Sequence, residues 1–317
     1  VSFLRPLVFA GSCSIALVAF AACGARTDLG APELADAQED APIDHANKDV
    51  VDAAQDTIDE LPTIDQFVDS PIPTDCPDAG ATLVYILSGE NDLYSFYPPT
   101  LAFTKIGTIA CPAANGASPY SMAVDRQGIA YSVFSDGNLF QIDTANASCK
   151  ATSYQAAPDG TPFHNFGMGF AGNQVSETLY VADASFNANS LGLATLDTTT
   201  FTRTFIADFQ PELPRCELTG TGDGRLFAFC LFTSSNGSQI AEINPTNAKV
   251  IADNQLTVGN PDDAFAYAFW GGEFWIFTGP QGKTTVTEYD PIAFTETNVA
   301  TLTATVVGAG VSTCAPQ

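Results

Sequence analysis

The sequence predicts an all-β fold, a five-bladed propeller of four-stranded antiparallel sheets, on three observations. A short alternating segment recurs five times, as Leu93-Tyr-Ser-Phe-Tyr-Pro-Pro-Thr100, Leu139-Phe-Gln-Ile-Asp-Thr144, Leu193-Ala-Thr-Leu-Asp-Thr198, Ile240-Ala-Glu-Ile-Asn-Pro-Thr246 and Val286-Thr-Glu-Tyr-Asp-Pro291. The spacings are 46, 54, 47 and 46 residues, the period of an array in which one supersecondary unit is repeated. Each unit also contains small residues two apart: Ser121 and Ala123, Gly167 and Gly169, Thr219 and Thr221, Ala266 and Ala268, Gly308 and Gly310. Positions i and i+2 share one face of a strand, and the innermost strand of a radial sheet is the most crowded. Finally, residues 82–109 supply only three strands, and the missing inner one, Val306–Thr313, stands at the end of the chain. Joining the two closes the ring and removes exposed sheet edges. A six-bladed ring with one degenerate blade, or a β-sandwich, is the alternative.

Taken in chain order, residues 1–22 read as an export signal. The run Leu7 to Phe20, about 14 residues interrupted by Gly11, Ser12 and Ser14, is short for a spanning helix but suits a signal core. Ala21 and Ala22 then supply small residues for cleavage. Phe20-Ala-Ala-Cys23-Gly24 resembles the lipobox of bacterial lipoproteins, which implies that Cys23 becomes an acylated N-terminus held in a lipid bilayer. With the acidic stretch that follows and the cysteine-bearing repeats, the whole chain resembles uncharacterised surface lipoproteins of Gram-negative bacteria. In that family an aspartate after the lipidated cysteine retains the protein at the inner membrane; Gly24 here implies sorting to the outer membrane, facing the periplasm or the surface.

Residues 23–80 read as a disordered tether. Between Gly24 and Gly80 there are 15 Asp or Glu against Arg26 and Lys48, and Phe67 is the only aromatic. Such a segment buries too little apolar surface to offset its ordering entropy. Carboxylate repulsion should swell it beyond the roughly 40 Å of a flexible linker of that length.

From residue 81 to 317 the composition turns to Phe, Tyr, Thr, Val and Gly, in short runs between turn residues, as strands require. The more apolar second strand of each unit is read at Ile129–Phe134, Thr178–Ala182, Leu226–Phe232 and Phe274–Phe277. A fourth, outer strand is read at Phe205–Phe209 and Val250–Asp253. Ser121-Met-Ala-Val-Asp125-Arg-Gln-Gly128-Ile-Ala-Tyr131 resembles the strand-turn-strand of NHL, YVTN or SMP-30-type propeller repeats. That resemblance implies architecture rather than activity.

Six cysteines remain in the body, an even number that in an exported chain implies disulfides. The repeat map pairs them. Cys216 and Cys230 flank a hairpin centred on Asp223. Cys111 follows the last strand of blade 1 and Cys149 opens the last strand of blade 2, so the two tie neighbouring blades. Cys76 and Cys314 bracket the folded body and staple the ring.

The net charge of −25, from 36 acidic and 11 basic residues, repels nucleic acid. No strand-then-helix phosphate loop, nucleophile elbow or paired-histidine zinc motif occurs. The loops leading into inner strands ring one mouth of a propeller channel, which makes Glu90, Asp92, Tyr120, His164, Asn165, Arg215, Asp262 and Asp263 the candidate ligand face. Carboxylates and amides at such a mouth suit calcium, and a metal-dependent hydrolase or lactonase is the alternative reading. Asx-rich turns account for the same residues, and His164 is read first as a hydrogen-bonded loop residue. The expected function is therefore a monomeric, non-catalytic binding or scaffold module for a protein, peptide or glycan. No cofactor is required.

Overall fold

A computed structural model describes residues 61–64, 76, 82–173, 175–185 and 190–317, all within the compact unit Ile58–Gln317. The expectations for the export signal, for Cys23 and for most of the acidic tether lie outside the described residues. Blade 1 supplies β1 (Val84–Ser88), β2 (Asp92–Tyr97) and β3 (Ala102–Thr108). Blade 2 is β4 (Pro119–Val124), β5 (Ile129–Phe134), β6 (Leu139–Asp143) and β7 (Cys149–Ala151). Blade 3 follows with β8 (Phe166–Gly172), β9 (Glu177–Asp183), β10 (Leu193–Leu196) and β11 (Arg203–Ala207). Blade 4 is β12 (Cys216–Gly220), β13 (Leu226–Leu231), β14 (Ser238–Ile243) and β15 (Val250–Leu256). Blade 5 comprises β16 (Ala264–Trp270), β17 (Glu273–Gly279), β18 (Thr284–Asp290) and β19 (Thr295–Leu302), and the chain ends with β20 (Val306–Val311). The sheets are five, four-stranded and antiparallel, and β20 pairs with β1 to complete the first.

The inner strands β4, β8, β12, β16 and β20 pack side by side around the hub. Their small residues face the next blade, which brings backbone against backbone. A Cβ placed on Gly167 would stand 2.0 Å from the Cys216 carbonyl oxygen, and one on Gly169 would stand 2.6 Å from Leu218. Gly308 and Gly310 meet Met122 and Val124 in the same way. Larger residues fill the wider spaces outside: Phe227, Phe229, Tyr267, Phe269 and Phe274 pack between blades 4 and 5. Thr221 lies just past the end of β12.

The turn joining the third and fourth strands repeats in all five blades. An Asp or Asn accepts the N–H groups two or three residues on, as in Asp143, Asp197, Asn244 and Asp290. Blade 1 uses Pro98-Pro99-Thr100 instead. The turn then closes on a non-glycine residue at positive φ: Leu101, Ala147, Phe201, Ala248 or Phe294, at 54° to 61°. Self-capping Asx side chains make such turns, which is why the repeats end on Asp-Thr, Asn-Pro or Asp-Pro.

Among the described residues, three disulfides join Cys76 to Cys314, Cys111 to Cys149 and Cys216 to Cys230. The last spans directly paired positions of β12 and β13. One stretch of the expected tether departs from disorder. Pro62 accepts the Asp253 N–H at 3.0 Å and Ile64 donates its own to Asn254 Oδ1 at 3.2 Å, while the Ile64 side chain is 2 % exposed. Leu61 and Ile64 are apolar residues on a Pro-extended backbone, and the outer strand β15 offers them an edge and a hydrophobic seat.

Candidate functional site

Antiparallel alternation fixes which loops share a face. The connections entering each inner strand, 109–118, 152–165, 208–215, 257–263 and 303–305, lie together with the loops between second and third strands. Bonds across this entry face agree: Ser135 N–H to Ser118, Ala184 N–H to Asn165 and Gly89 N–H to Thr305. All eight candidate ligand residues belong to it, but they do not form one cluster.

Four of them, Tyr120, Arg215, Asp262 and Asp263, converge on a cavity of about 290 Å³ over the hub. Pro119, Ala184, Ala264, Phe265 and Val307 give its apolar wall, and Glu217 and Cys216 reach its base. Arg215 is half-buried, with its guanidinium carbon 5.1 Å from the centre of the Phe265 ring. Its Nη2 donates to the Pro261 carbonyl at 3.4 Å. The Tyr120 hydroxyl donates to the Ala184 carbonyl at 3.1 Å. Burial pushes that phenol up, with the neighbouring Arg215 acting in the opposite sense. Asp263 is spent within its own turn, accepting both the backbone and side-chain N–H of Asn260, whereas Asp262 is exposed at the rim.

Glu217 is the residue sequence reasoning missed. It lies in β12 on the same face as Thr219, and it seals the hub by accepting the Ser121 hydroxyl at 2.5 Å and the Met168 N–H. Burial drives its carboxyl well above the usual range, more than Ser121, Met168 and Arg215 lower it. A charged residue two positions from a small one in an inner strand was the available signal.

The other four candidates are occupied elsewhere. Glu90 receives the Thr305 hydroxyl at 3.0 Å and Ser88 binds its loop. Asp92 pairs with Lys105 at 2.7 Å and accepts Thr108. His164 is 8 % exposed, with Nδ1 2.8 Å from the Ala157 carbonyl and Nε2 3.3 Å from that of Ser135. It knits a connecting loop to blade 2. Asn165 uses its backbone to hold Ser185 and Ala184, and its buried Oδ1 has no partner among the described residues. Also among the described residues, no three His, Cys, Asp or Glu side chains gather as a metal-ligand group.

The opposite, exit end of the hub is closed by Arg126, whose side chain is fully buried. Its Nε donates to Thr313 at 2.7 Å, its Nη2 donates to the Asn173 carbonyl and its backbone N–H donates to Glu177 at 2.8 Å. Thr313 in turn donates to Glu177 at 2.9 Å. A wider groove of about 610 Å³ opens near this end beside blade 3. Its acids are committed: Asp125 and Asp197 cap their own turns and Glu177 belongs to the Arg126 network.

No protein-family model matches the sequence, and no curated protein does. Among solved structures, the chain is similar to one from a nidogen/laminin complex, with 11% identity over 72% of this chain and 97% of that one, at a TM-score of 0.47. It is also similar to the extracellular domain of a putative hybrid two-component system of B. thetaiotaomicron (13% identity, 71% and 29% covered, TM-score 0.37). Dihydro-heme d1 dehydrogenase NirN in complex with DHE matches at 11% identity, 74% and 46% covered, and a TM-score of 0.33.

Proposed function

We propose that this chain is a non-catalytic binding module whose ligand, a protein, peptide or glycan, is taken at the entry mouth of the ring, with lipidated Cys23 holding the module at the outer membrane. The observation that carries the reading is the cavity framed by Tyr120, Arg215 and Asp262, closed beneath by Glu217. Pockets that combine apolar walls with a few fixed polar groups are the usual form of a ligand site. Binding is favoured over hydrolysis because the hydroxyl bonded to the Glu217 carboxylate, that of Ser121, is itself 0 % exposed and out of reach of a substrate.

The test is an NMR chemical-shift screen of the labelled protein against peptide and glycan libraries. Perturbed amides should cluster at residues 120, 184, 215–217, 262–265 and 307. Hits that perturb only the exit-face turns at 144–148, 197–202 and 244–249 refute the assignment. Mass spectrometry of the N-terminal peptide tests the anchor, and an unmodified Cys23 removes it.

A further inference from the structure

The mouth contains a cation in an unusual situation. The chain is strongly acidic, yet none of the ion pairs among the described residues includes Arg215. Its guanidinium is held by a stack on Phe265, one long bond to the Pro261 carbonyl and a bond with the Tyr120 hydroxyl, so none of its five donors is matched by a carboxylate in an ion pair. A half-buried guanidinium fixed by an aromatic face is pre-organised for a planar, two-oxygen acceptor.

The carboxyl groups near it do not fill that place. Asp263 is turned to Asn260. Glu217 lies at the base, bound to Ser121 and Met168, and its burial favours the neutral acid. Asp262 stands at the rim in solvent, and the remaining negative charge of the chain is screened beyond about 8 Å at physiological salt. Beside the guanidinium, Phe265, Val307 and Ala264 form an apolar wall.

We infer that the mouth binds a carboxylate carried next to a short apolar group, its two oxygens on Arg215 and its apolar part against Phe265 and Val307. The inference rests on the mouth being the ligand site. Two sources offer that chemistry: a free aliphatic acid, or the C-terminus of a peptide ending in a residue such as leucine. A cavity of about 290 Å³ admits either the acid or the terminal residue, not a folded surface.

The experiment is calorimetric titration of the full chain with 4-methylpentanoate, with an N-acetylated tripeptide ending in a free leucine carboxylate, and with the same peptide amidated. At least one carboxylate probe should bind, with the amide about tenfold weaker or more, the size of a charge-assisted pair. Which carboxylate binds better identifies the source. Arg215→Ala should cost about tenfold or more and Arg215→Lys less, while Asp262→Asn should tighten binding by removing a like charge. Equal binding of acid and amide, or weaker binding in Asp262→Asn, overturns the carboxylate inference but leaves the mouth as a ligand site. The Asp262→Asn variant also guards against a fold defect in Arg215→Ala, because a cationic ligand would move it the other way. Binding by none of the probes overturns the inference outright. Binding unchanged in both Arg215 variants, with amide shifts away from residues 215–217, sinks the mouth reading as well.

Discussion

The substitution Gly167→Ala tests the packing that brings the five blades together. The added Cβ would stand 2.0 Å from the Cys216 carbonyl oxygen and 2.7 Å from the Glu217 Cα. Even the shortest contact real Cβ atoms make, 3.0 Å, demands that β8 and β12 part by at least 1.0 Å. Both neighbours are backbone, so no rotamer change relieves the clash. The separation also pulls Met168 and Ser121 from the Glu217 carboxyl. Overpacking a core costs 1–3 kcal/mol, and a clash of backbone with backbone belongs at the top of that range, about 3 kcal/mol. For a ring of this size that lowers Tm by roughly 6–12 °C. Gly89→Ala is the internal control: its Cβ would meet Val307 at an ordinary 3.6 Å, and it should be neutral or gain about 0.4–1 kcal/mol through the unfolded chain. Urea melts of both variants with disulfides intact decide the matter. Gly167→Ala within about 0.5 kcal/mol of the parent would refute the argument.

Other consequences follow from the same geometry. Arg126→Met removes the donors to Thr313 and to the Asn173 carbonyl and the cation 3.8 Å from Glu177 at the exit end of the hub, and should cost about 3–5 kcal/mol in urea melts, the usual penalty for breaking a buried ion pair by removing one partner. Replacing Cys111 and Cys149 together by Ala opens a loop of 38 residues and should lower stability by about 3–4 kcal/mol. Ile64→Ala should cost about 2–3 kcal/mol and expose the 61–64 segment to added protease; an unchanged cleavage rate would mean the segment is not seated on β15. Glu273 is raised to about 7, by burial first and then by its contacts with Glu288 and the nearby Asp290. Its folded pKa lies above its unfolded one, so the native state holds the extra proton and this stabilisation fades as pH climbs from about 4.5 to about 7. Glu273→Gln should therefore stabilise the protein at pH 8, by about 1 kcal/mol after solvent screening, and change little at pH 4. A gain of equal size at both values would contradict this.

The architecture was legible because a propeller writes its constraints at fixed intervals. The Asx-closed turns recur with the blade period, and the small residues two apart mark the strands that must touch. The cysteine pairings followed once the repeats were aligned, since Cys216 and Cys230 fall on opposite positions of one hairpin. The site was legible only in part. Tyr120, Arg215, Asp262 and Asp263 could be placed together on the entry face from topology, and they meet because their four positions lie where inner strands begin. Glu90, Asp92 and His164 share the face but take local partners, which depend on side-chain reach rather than on the repeat. Arg126 sits in what reads as an ordinary solvated turn, Asp125-Arg-Gln-Gly128. Its burial depends on Glu177, Asn173 and Thr313, contributed by other turns of the ring, and no local pattern announces such a meeting. Leu61 and Ile64 were hidden for the opposite reason: two apolar residues in an acidic stretch carry no periodicity, and only the edge of β15 gives them a seat.

The most direct test of ligand recognition at the mouth is a crystal structure of the protein grown with 4-methylpentanoate. Its carboxylate should lie in the plane of the Arg215 guanidinium with both oxygens in hydrogen-bond range, and its branched end should rest on Phe265. Ligand bound elsewhere, with Arg215 unmoved on the Pro261 carbonyl and the mouth filled by water alone, would contradict the account.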